Sequence, residues 1–424
     1  MTDRPHALAS PSKAAMWLVC ANSLAANEGQ PEGDRKAADL GTDKHELMTL
    51  CLEFYEDAVS YLGQPLGRGH TVTKELAHDV QTVVDNVRER IRGYELRGCT
   101  VVLELDKAVP IEHITGESAA TGTLDVALVV SWPDGHVSID VIDAKFGYYE
   151  VTAEENPQLL MYASGELEEY ALVEDVSRVT EVNLVIEQPL RGTTDWSTTP
   201  EWIAEWVDEA KRKAELALDI YYDRIDSPES PESPFMAQHF TVSEKGCMWC
   251  KAKAVCPALT KHVESTIEAD FESFTEAVAS DSVPLLEVSE LAGKFEALEI
   301  IEDWINAVRA RVELELLAGK QIPGLKLVAG KKGNRAWASD DEAEALMKKF
   351  KLKQDQMYSL KLLGPKPILD ALKDSPRRLK QIEQLVIQPQ GKPHVALDSD
   401  KRPALEIKPV EDGFETVDEG EDLC

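Results

Sequence analysis

The chain has 424 residues, and its 43% hydrophobic content is enough to bury a core. Its 77 acidic and 45 basic residues give a net charge of −32, which excludes a protein that coats nucleic acid through overall positive charge. No apolar stretch reaches the roughly 18–20 residues that span a bilayer, and the first residues lack a secretory pattern, so we expect a cytoplasmic protein with no membrane partner.

The order of sequence patterns predicts an α/β domain. Helical periodicity comes first, Val- and Ile-rich segments follow, and helices alternate with a further strand after them. A Pro-Asp-Gly turn at 133–135 predicts a hairpin between two of the strands. In chain order, the predicted elements are helices at Ala37–Leu62 and Thr73–Arg92, strands at Thr100–Val109, Gly122–Trp132 and His136–Phe146, a helix at Pro157–Glu169, a strand at Glu181–Glu187 and a helix at Glu201–Tyr222.

Composition divides the chain into four regions. A run of Ser, Pro and Glu at 227–234 leads into a cysteine cluster, and an acidic helical segment follows. Between Lys320 and Lys380 the balance inverts to 15 basic against 7 acidic residues. We expect a first domain at 1–262, a helical connector at 263–318, a basic α+β accessory region at 319–405 and a disordered acidic tail at 406–424.

Two acidic residues and one lysine lie on neighbouring predicted strands. Asp125 is on one strand of the hairpin, and Asp143 and Lys145 are on the other, spaced so that their side chains share a face. Two carboxylates at one point suit Mg²⁺ or Mn²⁺, and an adjacent ammonium group can orient water or stabilise charge on a phosphate. Glu104, on the preceding strand, offers a third carboxylate. The alternative is that these are ordinary charges at strand edges.

Three further residues extend this set. Gln158 and Tyr162 are four residues apart on the helix after the sheet, so they share a face and can contact a DNA backbone or base. His45, on an early helix, can add a nitrogen ligand to a carboxylate site. Each has a structural alternative, namely a solvated Gln, a Tyr in the core and a structural or solvated His.

In this order, the motifs resemble those of the PD-(D/E)XK nuclease superfamily and, within it, the RecB-type branch. The resemblance covers roughly residues 10–260 and rests on His45, Gly122-Thr-Leu-Asp125, Asp143-Ala-Lys145 and Gln158-Leu-Leu-Met-Tyr162. It implies a core with a central mixed sheet flanked by helices. It also implies that Mg²⁺ or Mn²⁺ is bound by Asp125, Asp143, His45 and the Ala144 carbonyl, that Lys145 is the catalytic lysine, and that Glu104 is a further catalytic acid at a more variable place.

Three cysteines, Cys247, Cys250 and Cys256, form a C-x₂-C-x₅-C run, and the chain's seven cysteines without an export signal indicate free thiols rather than disulfides. Such a run suits a soft metal or an iron–sulfur cluster, and either needs a fourth ligand. One cysteine upstream of the motifs and three downstream is similar to the [4Fe–4S] staple of AddB-type and CRISPR-associated RecB-type nucleases, which implies Cys20 as that ligand. The alternative is structural Zn²⁺, with a cysteine or His239 as the fourth ligand.

The C-terminal third contains Lys331, Lys332, Arg335 and Trp337, where basic residues stand beside an aromatic ring. This pattern suits contact with a DNA backbone and with unstacked bases. The alternative is a small module with a solvated basic face. The acidic tail is most simply a solubilising segment, and partner docking and DNA mimicry are its alternatives.

Together, the motifs indicate a Mg²⁺- or Mn²⁺-dependent deoxyribonuclease. The resemblance implies an exonuclease that acts on DNA ends in phage recombination, repair or replication in the bacterial cytoplasm. DNA is the expected partner, and a phage single-strand-binding or annealing protein is a further candidate. Two other hypotheses stay open: a non-catalytic DNA-binding or scaffold protein of the same fold, and an unrelated interaction protein stapled by zinc.

Overall fold

The structure is a computed structural model that describes residues 7–31, 35–226, 237–266, 288–330, 335–358, 363–373, 375–387, 391–397, 403 and 405. The chain forms two compact units, Met1–Asn306 and Ala307–Cys424. The proline-rich run at 227–234 and the predicted acidic tail at 406–424 lie outside the described residues. In the ranges that are described, we find no helix both long and apolar enough to cross a membrane.

Helices precede and follow the sheet of the first unit. Two of them begin where a side chain accepts a hydrogen bond from the first turn: Thr73 Oγ1 from Leu76 N at 3.2 Å, and Asn156 Oδ1 from Gln158 N at 3.1 Å. The helices are α1 (Ala14–Trp17), α2 (Ser23–Asn27), α3 (Lys36–Glu53), α4 (Lys74–Leu96), α5 (Glu112–Thr115), α6 (Pro157–Val173), α7 (Pro200–Asp226), α8 (Glu244–Met248), α9 (257–266) and α10 (Val288–Leu317). Helix α10 continues into the second unit.

Five strands form the sheet of the first unit: β1 (Thr100–Pro110), β2 (Thr121–Ser131), β3 (Val137–Ala144), β4 (Val179–Gln188) and β5 (Gly192–Thr198). Their order is β1-β2-β3-β4-β5, in which β3 and β4 are parallel and the other neighbouring pairs are antiparallel. The parallel pair is joined through α6, because parallel neighbours need a crossover connection. The predicted α/β class, with a central mixed sheet flanked by helices, is confirmed.

Helices cover both faces of this sheet. On one face, α3 and α4 bury apolar residues such as Leu47 and Val84 against Val126 of β2. On the other face, α6 and α7 contribute Leu159 and Ile203 to the core. Every residue of β3 is buried as a result. A charged side chain at the end of this strand therefore needs a partner inside the protein.

Helix α6 approaches β1 closely at a glycine. A Cβ added to Gly165 would clash with the carbonyl oxygen of Pro110 and would lie 2.9 Å from the Cβ of Val109. The absence of a side chain at Gly165 therefore lets the helix pack directly on the strand. This packing fixes α6, whose first turn carries Gln158, beside the end of β3.

The second unit contains two small antiparallel sheets and four short helices among its described residues. Strand β6 (Leu325–Gly330) pairs with β9 (Gly391–Leu397), and β7 (Ala336–Trp337) pairs with β8 (Val386–Ile387). The helices are α11 (Asp340–Lys349), α12 (Gln354–Met357), α13 (Pro365–Ala371) and α14 (Pro376–Glu383). Their shared core includes Met347, Ile368 and Ile382. This is an α+β arrangement, as predicted for the C-terminal region.

Two elements differ from the sequence prediction. The helix predicted to reach Leu62 ends at Glu53, and Tyr55 just beyond it has a φ of 55°, which an α-helix does not accommodate. Strand β5 is absent from the predicted elements. Its residues are mostly polar and exposed because it lies at the edge of the sheet, so it lacks the apolar run that identifies the inner strands.

We expect Gly165→Ala to lower the free energy of unfolding by about 1–3 kcal/mol, because the added methyl group overpacks the contact between α6 and β1. Gly93→Ala in α4 is the matched control, since nothing lies within 4 Å of a Cβ at Gly93. This control should raise stability by about 0.5–1 kcal/mol through helix propensity. Urea unfolding measures both, and equal effects would contradict the close approach at Gly165.

Candidate functional site

The candidate site lies where the pairing between β2 and β3 ends, close to the last residues of β3. Val126 and Ile142 are paired across the two antiparallel strands, so the next residues outward, Asp125 and Asp143, lie opposite each other. Asp125 Oδ2 accepts a hydrogen bond from the backbone N–H of Ala144 at 2.8 Å. The strand register thus brings the two predicted carboxylates together.

Lys145 and Gln158 surround the carboxylate of Asp143. Lys145 Nζ lies 2.6 Å from Asp143 Oδ2 and donates to Gln158 Oε1 at 3.0 Å. Gln158 Nε2 donates to Asp143 Oδ1 at 3.2 Å and to the hydroxyl oxygen of Tyr162 at 3.0 Å. The amide of Gln158 therefore holds the ammonium group and the carboxylate in one arrangement.

Tyr162 lies inside this arrangement. It is 5% exposed, and its hydroxyl oxygen accepts a hydrogen bond from Gln158. Burial raises the pKa of Tyr162, and the charge of Asp143 adds to the shift, so the phenol stays neutral. A direct contact of Tyr162 with DNA does not fit so enclosed a side chain. Its place, and that of Gln158, instead favours a role in positioning Lys145 and Asp143.

His45 reaches the site from α3. Its Nδ1 lies 3.2 Å from Asp125 Oδ1, and its ring meets the ring of Phe146 edge-on, with centroids 5.2 Å apart. Burial alone would lower the pKa of His45, but the negative charge of Asp125 outweighs it and raises the pKa above its usual value. Phe146 is a site residue that the sequence analysis missed, although its position directly after Asp143-Ala-Lys145 was a signal.

The site places two carboxylates beside one ammonium group and one imidazole. Burial raises the pKa of Asp143, Lys145 opposes that shift, and the nearby charge of Asp125 adds to it. Burial acts to lower the pKa of Lys145, but Asp143 and Asp125 outweigh it and raise the pKa, so Lys145 is cationic at neutral pH. Two carboxylates at one point are a donor set that suits a divalent cation.

Two buried polar atoms of the site lack a hydrogen bond. They are Asp143 Oδ2 and His45 Nδ1, each within ion-pair distance of a partner but outside hydrogen-bond geometry. A carboxylate oxygen and an imidazole nitrogen suit Mn²⁺, and the oxygens suit Mg²⁺, so these residues fit a divalent cation. No group of three or more His, Cys, Asp or Glu side chains in the described ranges is already arranged as a coordination sphere; the cation beside Asp143 is the Lys145 ammonium group.

Glu104 belongs to a different cluster of charges. Lys107 Nζ contacts Glu104 at 2.7 Å, Glu166 at 2.8 Å and Glu169 at 3.0 Å. No described contact joins Glu104 to the two aspartates at the end of the sheet. Glu104 thus pairs with Lys107, and its predicted catalytic role gains no support from this placement.

Cys20 lies near the segment that contains the other three cysteines of the predicted metal centre, although the four described thiols are not arranged as a coordination sphere. Cys20 follows α1, Cys247 lies in α8, Cys250 is two residues beyond the end of α8, and Cys256 is eight residues beyond it. Burial raises the pKa of Cys20 to about 11, and the charges of the other three thiols add to the shift. Four thiols are a donor set that fits an iron–sulfur cluster or Zn²⁺, both of which bind deprotonated sulfur.

Asn27 and His239 border these thiols. Asn27 Nδ2 donates to Cys250 Sγ at 3.4 Å, and Cys20 Sγ donates to the backbone carbonyl of His239 at 3.8 Å. His239, the alternative zinc ligand, thus contacts Cys20 through its backbone carbonyl, and its ring Nε2 lies 3.1 Å from Gln238 Nε2. Cys51 and Cys99 are buried in the core beside α3 and α4, as expected for ordinary thiols.

The predicted DNA-binding residues of the second unit differ in whether the structure describes them and in how exposed they are. Lys331 and Lys332 lie outside the described residues, and Arg335 is exposed. Trp337 is 9% exposed, packs in the core of the unit and donates its Nε1–H to the Leu363 carbonyl at 3.1 Å. The prediction that a base stacks on Trp337 gains no support from this placement, because the indole is already enclosed by the helices.

We expect Glu166→Gln to flatten the pH dependence of stability. Burial raises the pKa of Glu166 from 4.5 to about 7, with Lys107 opposing and Glu104 adding to the shift. Because the folded-state pKa is raised, the stabilisation is present below pH 4.5 and is lost as pH rises through about 7. Gln cannot titrate, so unfolding free energies measured across this window should lose that slope.

Glu205→Gln, on the exposed side of α7, is the control and should keep the wild-type slope. A wild-type slope in Glu166→Gln would contradict this account of the Lys107 cluster.

One comparison with known proteins covers nearly the whole chain. A family described as "Protein of unknown function (DUF2800)" matches residues 6–403. The match includes the candidate site around Asp125 and Asp143, the segment that contains Cys247, Cys250 and Cys256, and most of the second unit. On the extent of this match, the chain belongs to the DUF2800 family.

Proposed function

We propose that this protein is a divalent-metal-dependent deoxyribonuclease with a RecB-type PD-(D/E)XK core. The observation that carries the proposal is the convergence of Asp125, Asp143 and Lys145 at one edge of the sheet, with Gln158 bridging the last two. Enclosing two carboxylates beside one ammonium group is costly for stability, and such groups with perturbed pKa values are typical of functional sites.

Asp125, Asp143, His45 and the carbonyl of Ala144 are the groups that would hold Mg²⁺ or Mn²⁺. When bound, the cation would supply Lewis acidity, which lowers the pKa of a water molecule and neutralises charge on a phosphate. Asp143 Oδ2 and His45 Nδ1 lack hydrogen bonds and are available as ligands. The cation would also let so acidic a chain accept a polyanion at this point.

Lys145 supplies a fixed positive charge. Its side chain is 27% exposed, whereas that of Asp143 is 4% exposed, so Lys145 is the more accessible partner of this pair. Despite its burial, the pKa of Lys145 is held above its usual value by Asp143 and Asp125, which keeps the group protonated. In that state it stabilises the negative charge that develops on a phosphate during hydrolysis and orients the attacking water.

Gln158 and Tyr162 are positioning residues in this proposal. Gln158 accepts from Lys145 and donates to Asp143, and the Tyr162 hydroxyl holds the Gln158 amide in that orientation. This chain of hydrogen bonds restrains the Lys145 side chain. A restrained ammonium group loses less entropy when a phosphate arrives.

The biological setting follows from the resemblance to RecB-type nucleases. We propose exonuclease action on DNA ends in phage recombination, repair or replication, in the bacterial cytoplasm, with a phage single-strand-binding or annealing protein as a candidate partner. The non-catalytic scaffold is the alternative that a digestion assay separates from this proposal.

We also propose that Cys20, Cys247, Cys250 and Cys256 hold a [4Fe–4S] cluster, with Zn²⁺ as the alternative. The support is that Cys20, more than 200 residues upstream, contacts the His239 carbonyl, and nearby Asn27 contacts Cys250, so the two cysteine segments lie side by side. A group bound by all four would tie the helices at the start of the first unit to the segment after α7.

Asp143→Asn and Lys145→Met should each lower DNA cleavage by about 10³-fold or more, because the first removes a charged ligand and the second the fixed cation. Both replacements are close in shape to the native residue, so the fold should persist. Release of label from end-labelled single- and double-stranded DNA, with Mg²⁺ or Mn²⁺, measures the loss. Asp134→Asn, in the exposed β2–β3 turn, is the control and should cleave like the wild type.

Full cleavage by either Asp143→Asn or Lys145→Met would refute the nuclease assignment. A wild-type protein that binds DNA but cleaves none would favour the scaffold.

Protein purified without oxygen should be brown, absorb near about 400 nm and contain iron. Cys250→Ser should lose the colour and most of the iron, because one of four thiolate ligands is removed. Cys99→Ser, a buried thiol in the core, should retain both. Colourless protein with one zinc per chain would identify Zn²⁺ instead, and protein with neither metal would reject the cysteine centre.

A further inference from the structure

Trp249 is a large apolar side chain that is left exposed. It lies between Cys247 and Cys250, and 65% of its surface is open to solvent. Its ring meets the ring of Tyr149 edge-on, with centroids 5.6 Å apart, and Tyr149 is itself 58% exposed. An aromatic pair exposed in this way is typical of a recognition surface.

Trp249 borders a basic cavity of about 370 Å³. Three lysines line this cavity, and all three are exposed: Lys13, Lys245 and Lys251. Among the described residues that line it, Glu28 is the one carboxylate. In a chain with a net charge of −32, this is a local excess of positive charge.

Trp249 also lines a second cavity, which is acidic and has a volume of about 640 Å³. Four acids line it, namely Glu244, Glu299, Glu302 and Asp303. The lysine of this cavity, Lys253, is bound to Asp303 at 3.2 Å. A polyanion would be repelled from this cavity, so the cavity lined by the three lysines is the one suited to an anionic ligand.

We propose that Trp249 and the three lysines form a binding site for single-stranded nucleic acid. A base stacks on the exposed indole while the neighbouring phosphates contact Lys13, Lys245 and Lys251. Stacking on a protein ring needs a base that has left the duplex stack, which favours a single strand over a duplex. The cavity volume is within the range of pockets that hold a ligand the size of one nucleotide.

This site adjoins the loop that follows Lys145. Tyr149, the ring in contact with Trp249, is four residues after Lys145 in the chain. This contact connects Trp249 to the segment that carries the proposed catalytic lysine, but Tyr149 lines the acidic cavity, so it does not extend the nucleic-acid site toward Lys145. The inference is a binding site and stands independently of the proposed function.

The test measures binding of a dye-labelled oligo(dT) of about 12 nucleotides to the full-length protein by fluorescence anisotropy, with Ca²⁺ replacing Mg²⁺. Trp249→Ala should weaken the affinity about 5- to 100-fold, whereas Trp249→Phe keeps an aromatic face and should retain most of it. Replacing all three lysines with Gln should lower the slope of log affinity against log salt by about 2, at about 0.7 for each lost phosphate contact.

The controls match the charge change and check the fold. Three exposed lysines outside the cavity are replaced together, Lys74→Gln, Lys213→Gln and Lys261→Gln, and this variant should keep the wild-type salt slope to within about 0.5. Metal content and thermal unfolding show whether the cysteine segment of Trp249→Ala is intact. If it is not, Trp249→Phe and the variant lacking the three cavity lysines carry the test.

Unchanged affinity and salt slope in Trp249→Ala and in the cavity-lysine variant overturn the site. Tighter binding of free dTMP than of the oligonucleotide also overturns it, because the ligand is then a mononucleotide and not a strand. A protein that binds the oligonucleotide through Trp249 but cleaves no DNA with Mg²⁺ refutes the nuclease and leaves the site standing. Cleavage that depends on Lys145, together with oligonucleotide binding that is unchanged in Trp249→Ala, overturns the binding site and leaves the nuclease proposal standing.

Discussion

The ion pair between Lys145 and Asp143, largely withdrawn from water, is the interaction on which the candidate site depends. An enclosed charge is costly unless a partner compensates it, and here Lys145 Nζ lies 2.6 Å from Asp143 Oδ2. Helices cover both faces of β3, which encloses the pair. Asn156 caps the start of α6, and this places Gln158 where its amide contacts both Lys145 and Asp143. Asp125, across the strands, adds a second carboxylate that this lysine does not contact directly. These two carboxylates, with the imidazole of His45 beside them, are the donors that suit a divalent cation.

The cysteine segment is connected to this site through aromatic contact. Cys20 and the three later cysteines join the beginning of the first unit to the segment after α7, and Asn27 adds a hydrogen bond to Cys250. Between those cysteines, Trp249 meets Tyr149, which belongs to the loop after Lys145. If the cysteines bind a metal as proposed, its removal should therefore change the position of that loop as well as the stability of the protein.

Local patterns in the sequence were sufficient for the inner strands and the longer helices of the first unit, and for the carboxylates and lysine of the central site. Alternation along β2 and β3 placed Asp125 and Asp143 on a hairpin, and the register does bring them opposite each other. Sequence could not indicate which polar groups pair in three dimensions. Lys107 draws Glu104 into a separate cluster, and Trp337 is enclosed by helices that are distant in sequence. Both depend on tertiary packing, which neither composition nor spacing records.

The central claim, that the end of β2 and β3 binds a divalent cation, is tested most directly by anomalous X-ray scattering from crystals soaked in Mn²⁺. The account predicts an anomalous peak between the carboxylates of Asp125 and Asp143, with Lys145 displaced from its contact with Asp143 or sharing it. Crystals of Asp143→Asn, soaked in the same way, should show a weaker peak or none. Wild-type crystals without a peak at this position, and with the Lys145–Asp143 contact unchanged, would contradict the account.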